Sequence, residues 1–195
     1  MTEQEQKDKV KEYSERHQQW SNQALTQFGY STNLFTTIGI GFLAYLINER
    51  KKFPAITIDF EQSVNWSLLL FVISVCLTLL TVVFGLISIT SRLYDIRITR
   101  HLVLTRKRVM KKHAMYLTDK HTDISNQSKI GNFFRSLNKI DFVTGNDISN
   151  IQTVNTKFES LRMQSKLLGE LAWTSHKLQL VLLLLSVIIY STLIF

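Results

Sequence analysis

The chain predicts an all-α integral membrane protein with three transmembrane helices and long cytoplasmic helical extensions. Three observations carry that expectation. The stretches 28–47, 66–90 and 178–195 are nearly free of charge, and each approaches the ~20 residues a helix needs to cross a bilayer core. Nearly all the charge of a 195-residue chain with formal net charge +8 lies between them, so a mean hydropathy of +0.04 conceals strong segregation. No face of these stretches is charged, whereas a soluble core helix tolerates charge on its outer side.

Residues 1–27 read as an N-terminal cytoplasmic amphipathic helix. Glu5 with Lys9 and Glu12 with Arg16 are favourable i, i+4 pairs, and Val10, Tyr13, His17, Trp20 and Ala24 mark one stripe. A charged start of mixed sign predicts no cleavable signal peptide. Residues 28–90 follow as a two-span transmembrane hairpin whose short outer loop, 48–65, holds the only proline, Pro54. The first span begins polar, with Ser31, Thr32, Asn33, Thr36 and Thr37, so a re-entrant or protein-buried helix stays open there.

After the second span no Gly or Pro occurs until Gly131, so its helix is expected to run on toward Tyr116. Residues 91–175 are then a cytoplasmic helical region with a loop at 118–153. Within that loop "KIGNFFRSLNKI" gathers Ile130, Phe133, Phe134, Leu137 and Ile140 beside Lys129, Arg135 and Lys139. It is expected either to lie on an anionic inner leaflet or to cap the bundle. A second stalk, with Val154, Phe158, Leu161, Leu168 and Ala172 on one face, leads into a C-terminal transmembrane helix at 176–195. The stalks and the N-terminal helix would form a cytoplasmic bundle continuous with the spans.

Orientation follows from Lys and Arg. Arg92, Arg97, Arg100, Arg106, Lys107, Arg108, Lys111 and Lys112 stand after the second span against a single acid, Asp95, which puts that side in the cytoplasm. The N-terminus is then cytoplasmic and the C-terminus outside, in a multi-pass protein of the bacterial inner membrane. Arg50, Lys51 and Lys52 argue the other way, and the larger cluster decides. The same eight cations are expected to meet headgroups of the inner leaflet, with nucleic acid ranked below lipid because topology already accounts for the charge. Trp66 and Tyr94 flank the second span, Trp173 and Tyr190 lie toward opposite ends of the third, and His176 and Lys177 are expected to snorkel.

Inside "SVCLTLLTVVFGLIS", Ser74, Thr78, Thr81, Gly85 and Ser88 recur at helical spacing within an arc of roughly 80 degrees. Asn33, Thr37, Gly41, Ala44 and Asn48 form a similar line in the first span. Small residues let helices approach closely in lipid and bond across the contact. Two readings stay open: the first two spans pair as a hairpin through these faces, or the second-span stripe faces a neighbouring subunit or a narrow pore in a homo-oligomer. With no ionisable residue or proline in the span cores, an ion-coupled transporter ranks low.

Catalytic signals are sparse. "RVMKKH" places Arg108 and His113 in an Arg-x4-His arrangement on a helix, similar to the signature of HEPN ribonucleases, in which the pair acts on an RNA phosphate at a dimer interface. An incidental histidine in a positive-inside stalk is the simpler explanation, because a stretch so rich in Arg and Lys matches such spacing by accident. "DKHTD", Asp119 to Asp123, is weak as a metal site and reads as a solvated turn; no metal or cofactor is expected. Gly39 and Gly41 make no phosphate loop, and Cys76 reads as a small apolar filler.

The layout of a charged helix, a tight hairpin and a long helical extension resembles the SLATT class over residues 5 to about 117. "EYSERHQQW" and "SRLYDIRITRH" are the nearest local features, and the third span is an addition to the two-span pattern. The resemblance implies a small bacterial membrane effector of nucleotide-activated conflict systems, forming pores. The expected function is therefore a self-associating inner-membrane protein that perturbs the membrane or forms a pore in antiphage defence. Two alternatives are a membrane-anchored scaffold recruiting a soluble cytoplasmic partner and, as a minor one, a HEPN-like membrane-anchored ribonuclease.

Overall fold

A computed structural model describes residues 3–53, 65–113, 117 and 127–194, with backbone alone for 3–14, 16, 17, 20 and 21. Among these residues the structure is all-helical in class, 91% helix with no strand. Helix α1 spans Glu3–Glu49 and ends in a 3-10 turn, Arg50–Lys52. Helices α2 (Trp66–His113), α3 (Lys129–Asn138) and α4 (Ile151–Ile194) follow, with a 3-10 turn at Asp147–Ser149 before α4. Three of the four are long and apolar enough to cross a membrane: α1, α2 and α4.

Helices α2 and α4 lie antiparallel along their whole length. Ser74 meets Ser186 at one end, Ser88 meets Ala172, Asp95 meets Ser165, and His113 meets Ile148 at the other. Helix α1 joins them over the apolar half alone, where Thr32 touches His176, Thr36 touches Gln179 and Tyr45 touches Tyr190. Its described residues before Phe28 are exposed. The amphipathic tail and the first span are thus one uninterrupted helix, because nothing at the polar start of the span breaks it.

The chain has two apolar cores at opposite ends. In the stalk, Ile98, Leu102 and Val109 of α2 pack on Val154, Phe158, Leu161, Leu168 and Leu171 of α4, with Phe133, Val143 and Ile148 closing the side. At the far end Leu46, Phe71 and Tyr190 pack together, and Phe53 stacks on Phe71 at 4.2 Å between ring centroids. Tyr190 is therefore buried among aromatic neighbours, Phe42 and Tyr45.

Segment 118–153 is not a loop throughout. Ser128 caps α3 by accepting from the Gly131 N–H at 3.1 Å, and Phe133 and Ser136 are buried. Lys129 pairs with Glu170 and Asn132 donates to the Gln164 carbonyl, so α3 stands along α4 and runs opposite to it. It flanks the stalk, with Ile130 and Phe134 each 63% exposed. Cys76 faces outward and is no interior filler. Pro54, Tyr116, the segment 119–123 and the side chains of Val10, Tyr13, His17 and Trp20 lie outside the described residues.

Candidate functional site

Between the two apolar cores the helix contacts are small and polar. The Ser186 hydroxyl donates to the Ser74 carbonyl at 2.8 Å and lies 2.6 Å from Thr78 Oγ1. Ser88 donates to the Ala172 carbonyl at 2.9 Å. Where all three long helices meet, Gly85 gives way to Gln179: a Cβ there would stand 2.6 Å from Gln179 Nε2 and would collide with Thr36 Oγ1. Gln179 is fully buried and donates to Thr36 Oγ1 at 2.8 Å.

His176 completes this junction. Its Nδ1 lies 3.2 Å from Thr32 Oγ1 and 3.3 Å from Gln179 Oε1, and its Nε2 lies 3.1 Å from Ser31 Oγ. An Nδ1–H tautomer satisfies the set: Thr32 already donates to the Phe28 carbonyl and so accepts, as does Gln179 Oε1, while Ser31 donates to Nε2. The imidazole is 6% exposed and packed edge-on against Phe28. It does not snorkel, whereas Lys177 beside it is exposed.

The five residues of the α2 stripe, Ser74, Thr78, Thr81, Gly85 and Ser88, are all buried inside one chain. Their bonds to another helix go to α4, at Ser186 and Ala172, whereas the hairpin reading paired this face with the first span, which approaches it at Thr81 and Gly85. The reason is chemical: α4 presents Ala172, Gln179 and Ser186 at matching heights, so the hydroxyls are paired within the chain. Asn33, Thr37, Gly41, Ala44 and Asn48 do the opposite and are all exposed, across α1 from buried Phe28, Thr32, Thr36 and Leu46. The two lines that looked alike in sequence are thus an interior seam and an outward face.

Arg108 and His113 are not brought together. Five residues apart, they point about 140 degrees away from each other around the helix. Arg108 is exposed, and His113 Nε2 is held 2.6 Å from the Ile148 carbonyl. The eight cations of the stalk also divide. Arg92 pairs with Asp95, Arg97 lies over the Phe142 ring, and Lys112 donates to Ser149. Measured from Thr90, Arg92, Arg97 and Arg100 stand within about 15 Å along the axis, Arg106 about 24 Å away and Lys112 about 33 Å. Lys107, Arg108 and Lys111 fall in that distant group.

Residues that mattered without being singled out are Gln179, Ser186 and the full set of partners around Asp95. Ser175, Gln179 and Ser186 recur at four and seven residues in an otherwise apolar span, which was a readable sign of a paired face. Asp95 accepts from Arg92 and from Ser165 Oγ at 2.5 Å, which turns the lone acid of the basic stretch into a tie between α2 and α4. Among the described residues no group of three or more His, Cys, Asp or Glu converges on a metal site. No family model, curated protein or solved structure matches the chain.

Proposed function

We propose that the chain is a three-span membrane protein, N-terminus cytoplasmic, that self-associates through the outward face of α1 and perturbs the bacterial inner membrane as a pore-forming effector. One observation carries this reading: Asn33, Thr37, Gly41 and Ala44 are exposed on a helix long and apolar enough to cross a membrane. An amide left unpaired against hydrocarbon costs about 2 kcal/mol or more. Copies meeting through this line would pair Asn33 and let backbones approach at Gly41, and around an axis the same groups would line a narrow polar path. The likeness to the SLATT class adds the setting, an effector of antiphage defence held silent until a cytoplasmic signal rearranges the stalks.

The test is permeabilisation on overexpression, read as dye entry. Thr37→Leu, Gly41→Leu and Ala44→Leu together should abolish it while leaving membrane insertion intact. Val181→Leu with Val187→Leu, on the outward face of α4, should leave it unchanged. Undiminished dye entry in the triple variant would sink the reading.

A second reading, a scaffold that recruits a soluble partner, draws on the outward face of α3, where Ile130, Phe134 and Leu137 are exposed at one-turn spacing. It requires no dye entry from the wild type, and a soluble protein that co-purifies with the wild type and is lost from Ile130→Ser/Phe134→Ser.

A further inference from the structure

The groove between α2 and α4 that α1 fills in the apolar half does not end where α1 leaves it. Phe28 of α1 packs on Trp173 at 4.5 Å between ring centroids, and beyond that contact the groove continues as a cleft of about 620 Å³ that reaches Phe158. From Trp173 to Phe158 is about 22 Å along α4. The cleft keeps an uncovered apolar wall, with Trp173 49% and Val103 59% exposed. Beside it, the described residues of α1 from Glu15 to Gln27 are all exposed as well.

Helices α1 and α4 run parallel, and their contacts keep nearly one offset. Thr36 and Gln179 differ by 143 in number, Thr32 and His176 by 144, and Tyr45 and Tyr190 by 145. Phe28 and Trp173 are also 145 apart. Carried toward the N-terminus, that last offset sets Tyr13, His17, Trp20 and Ala24 against Phe158, Arg162, Ser165 and Gly169. All four of these α4 residues line the cleft. Ending on Phe28 and Trp173, the two series each step by 4, 3, 4 and 4, the spacing of one helix face. Sizes alternate usefully too: the large Trp20 would fall at Ser165, and the small pair Ala24 and Gly169 would let the backbones approach.

We infer that this cleft is the seat of residues 13–24 of α1 from the same chain, and that the structure shows that segment undocked. Seating extends the established α1 interface along the stalk and covers Val103 and Trp173. Gly29, next to the last buried residue Phe28 and with open space around it, is where the helix bends at least cost. Tethered to its own groove, the segment meets it at a far higher effective concentration than a second copy's segment would. The inference stands without the α1 self-association face, whose readout is dye entry.

Disulfide trapping tests it in the full chain carrying Cys76→Ser, held in phosphatidylcholine nanodiscs. His17→Cys/Arg162→Cys should cross-link under mild oxidation within one chain, giving a product of monomer mass with altered mobility. Glu15→Cys/Arg162→Cys, whose first thiol stands about 160 degrees around α1 from position 17, should react about tenfold more slowly. Adding Tyr13→Ser and Trp20→Ser to the His17→Cys/Arg162→Cys chain should slow trapping by about tenfold or more, as expected when buried aromatic contacts are lost. Ala24→Cys/Gly169→Cys repeats the measurement without touching Arg162, and the Cβ it adds at position 169 meets Asp95 at an ordinary 3.5 Å. A product of dimer mass would put a second copy's segment in the groove and overturn the same-chain seat. So would no cross-link in either pair, a rate equal to that of the Glu15→Cys control, or trapping that survives the loss of Tyr13 and Trp20.

Discussion

At the scale of single residues, fit at a three-helix junction decides more than hydrophobicity. Gly85 has Gln179 and Thr36 pressed against it, and both partners are buried, so neither can withdraw cheaply. Gly85→Ala should therefore lower stability in mild detergent by about 1–3 kcal/mol, the usual cost of overpacking. Gly41 has open space within the chain where a Cβ would go, and Gly41→Ala should not lower the thermal midpoint of the dissociated monomer. Equal effects from the two glycines would contradict the burial assigned to each. Gln179→Leu removes one interhelical bond to Thr36, and such bonds in lipid average about 0.6 kcal/mol and reach about 1.7. A loss within that range in the same melting experiment is expected.

At the scale of elements, the far end of the stalk is a built cap. His113 and Lys112 at the end of α2 bond to Ile148 and Ser149 in the turn before α4. Asp147 organises that turn. It accepts from the Thr144 backbone N–H, from the Thr144 hydroxyl and from Lys157, and these partners hold its pKa down to about 2. A folded pKa below the unfolded value of about 3.9 means a contribution fully present above pH 4 and lost as pH falls toward 2. Lys157 is shifted upward, chiefly by its bond to Asp147, so its share is present at neutral pH and lost only as pH rises through its folded pKa. Asp147→Asn should speed hydrogen exchange at Val143 and Ile148 already at neutral pH and remove the acid dependence between pH 4 and 2. Exchange unaltered by this change would show that the turn holds without the carboxylate.

The elements also show what periodicity can convey. The α4 face of Val154, Phe158, Leu161, Leu168 and Ala172 was legible because helical spacing names a buried side, and all five are buried. Helix α2 could be followed past the end of its span to His113 because no Gly or Pro stands between Gly85 and that end. Helix α3 was obscured by the Asn, Asp and Ser around it, which read as loop although Ser128 serves as its N-cap. The partner of the Ser74 to Ser88 stripe was not legible either. Spacing defines a face, and which helix covers it depended on Gln179 and Ser186, about a hundred positions downstream.

At the scale of the whole molecule, packing changes character along one axis. The stalk is held by a conventional apolar core, whereas the middle of the apolar half is held by hydroxyls, an amide and an imidazole. That inversion is what lipid would impose, since apolar side chains gain nothing by leaving hydrocarbon for one another and small polar contacts must supply the specificity. With the α2 stripe consumed inside the chain, the α1 line from Asn33 to Ala44 is the small polar face left outward in the apolar half, and self-association is assigned to it. The most direct measurement is the detergent-corrected mass of the purified protein by light scattering, for the wild type and for Thr37→Leu/Gly41→Leu/Ala44→Leu. A discrete homo-oligomer that falls to the 22.7 kDa monomer in the variant is the predicted result. A monomeric wild type, or an oligomer that the variant leaves intact, would contradict the account.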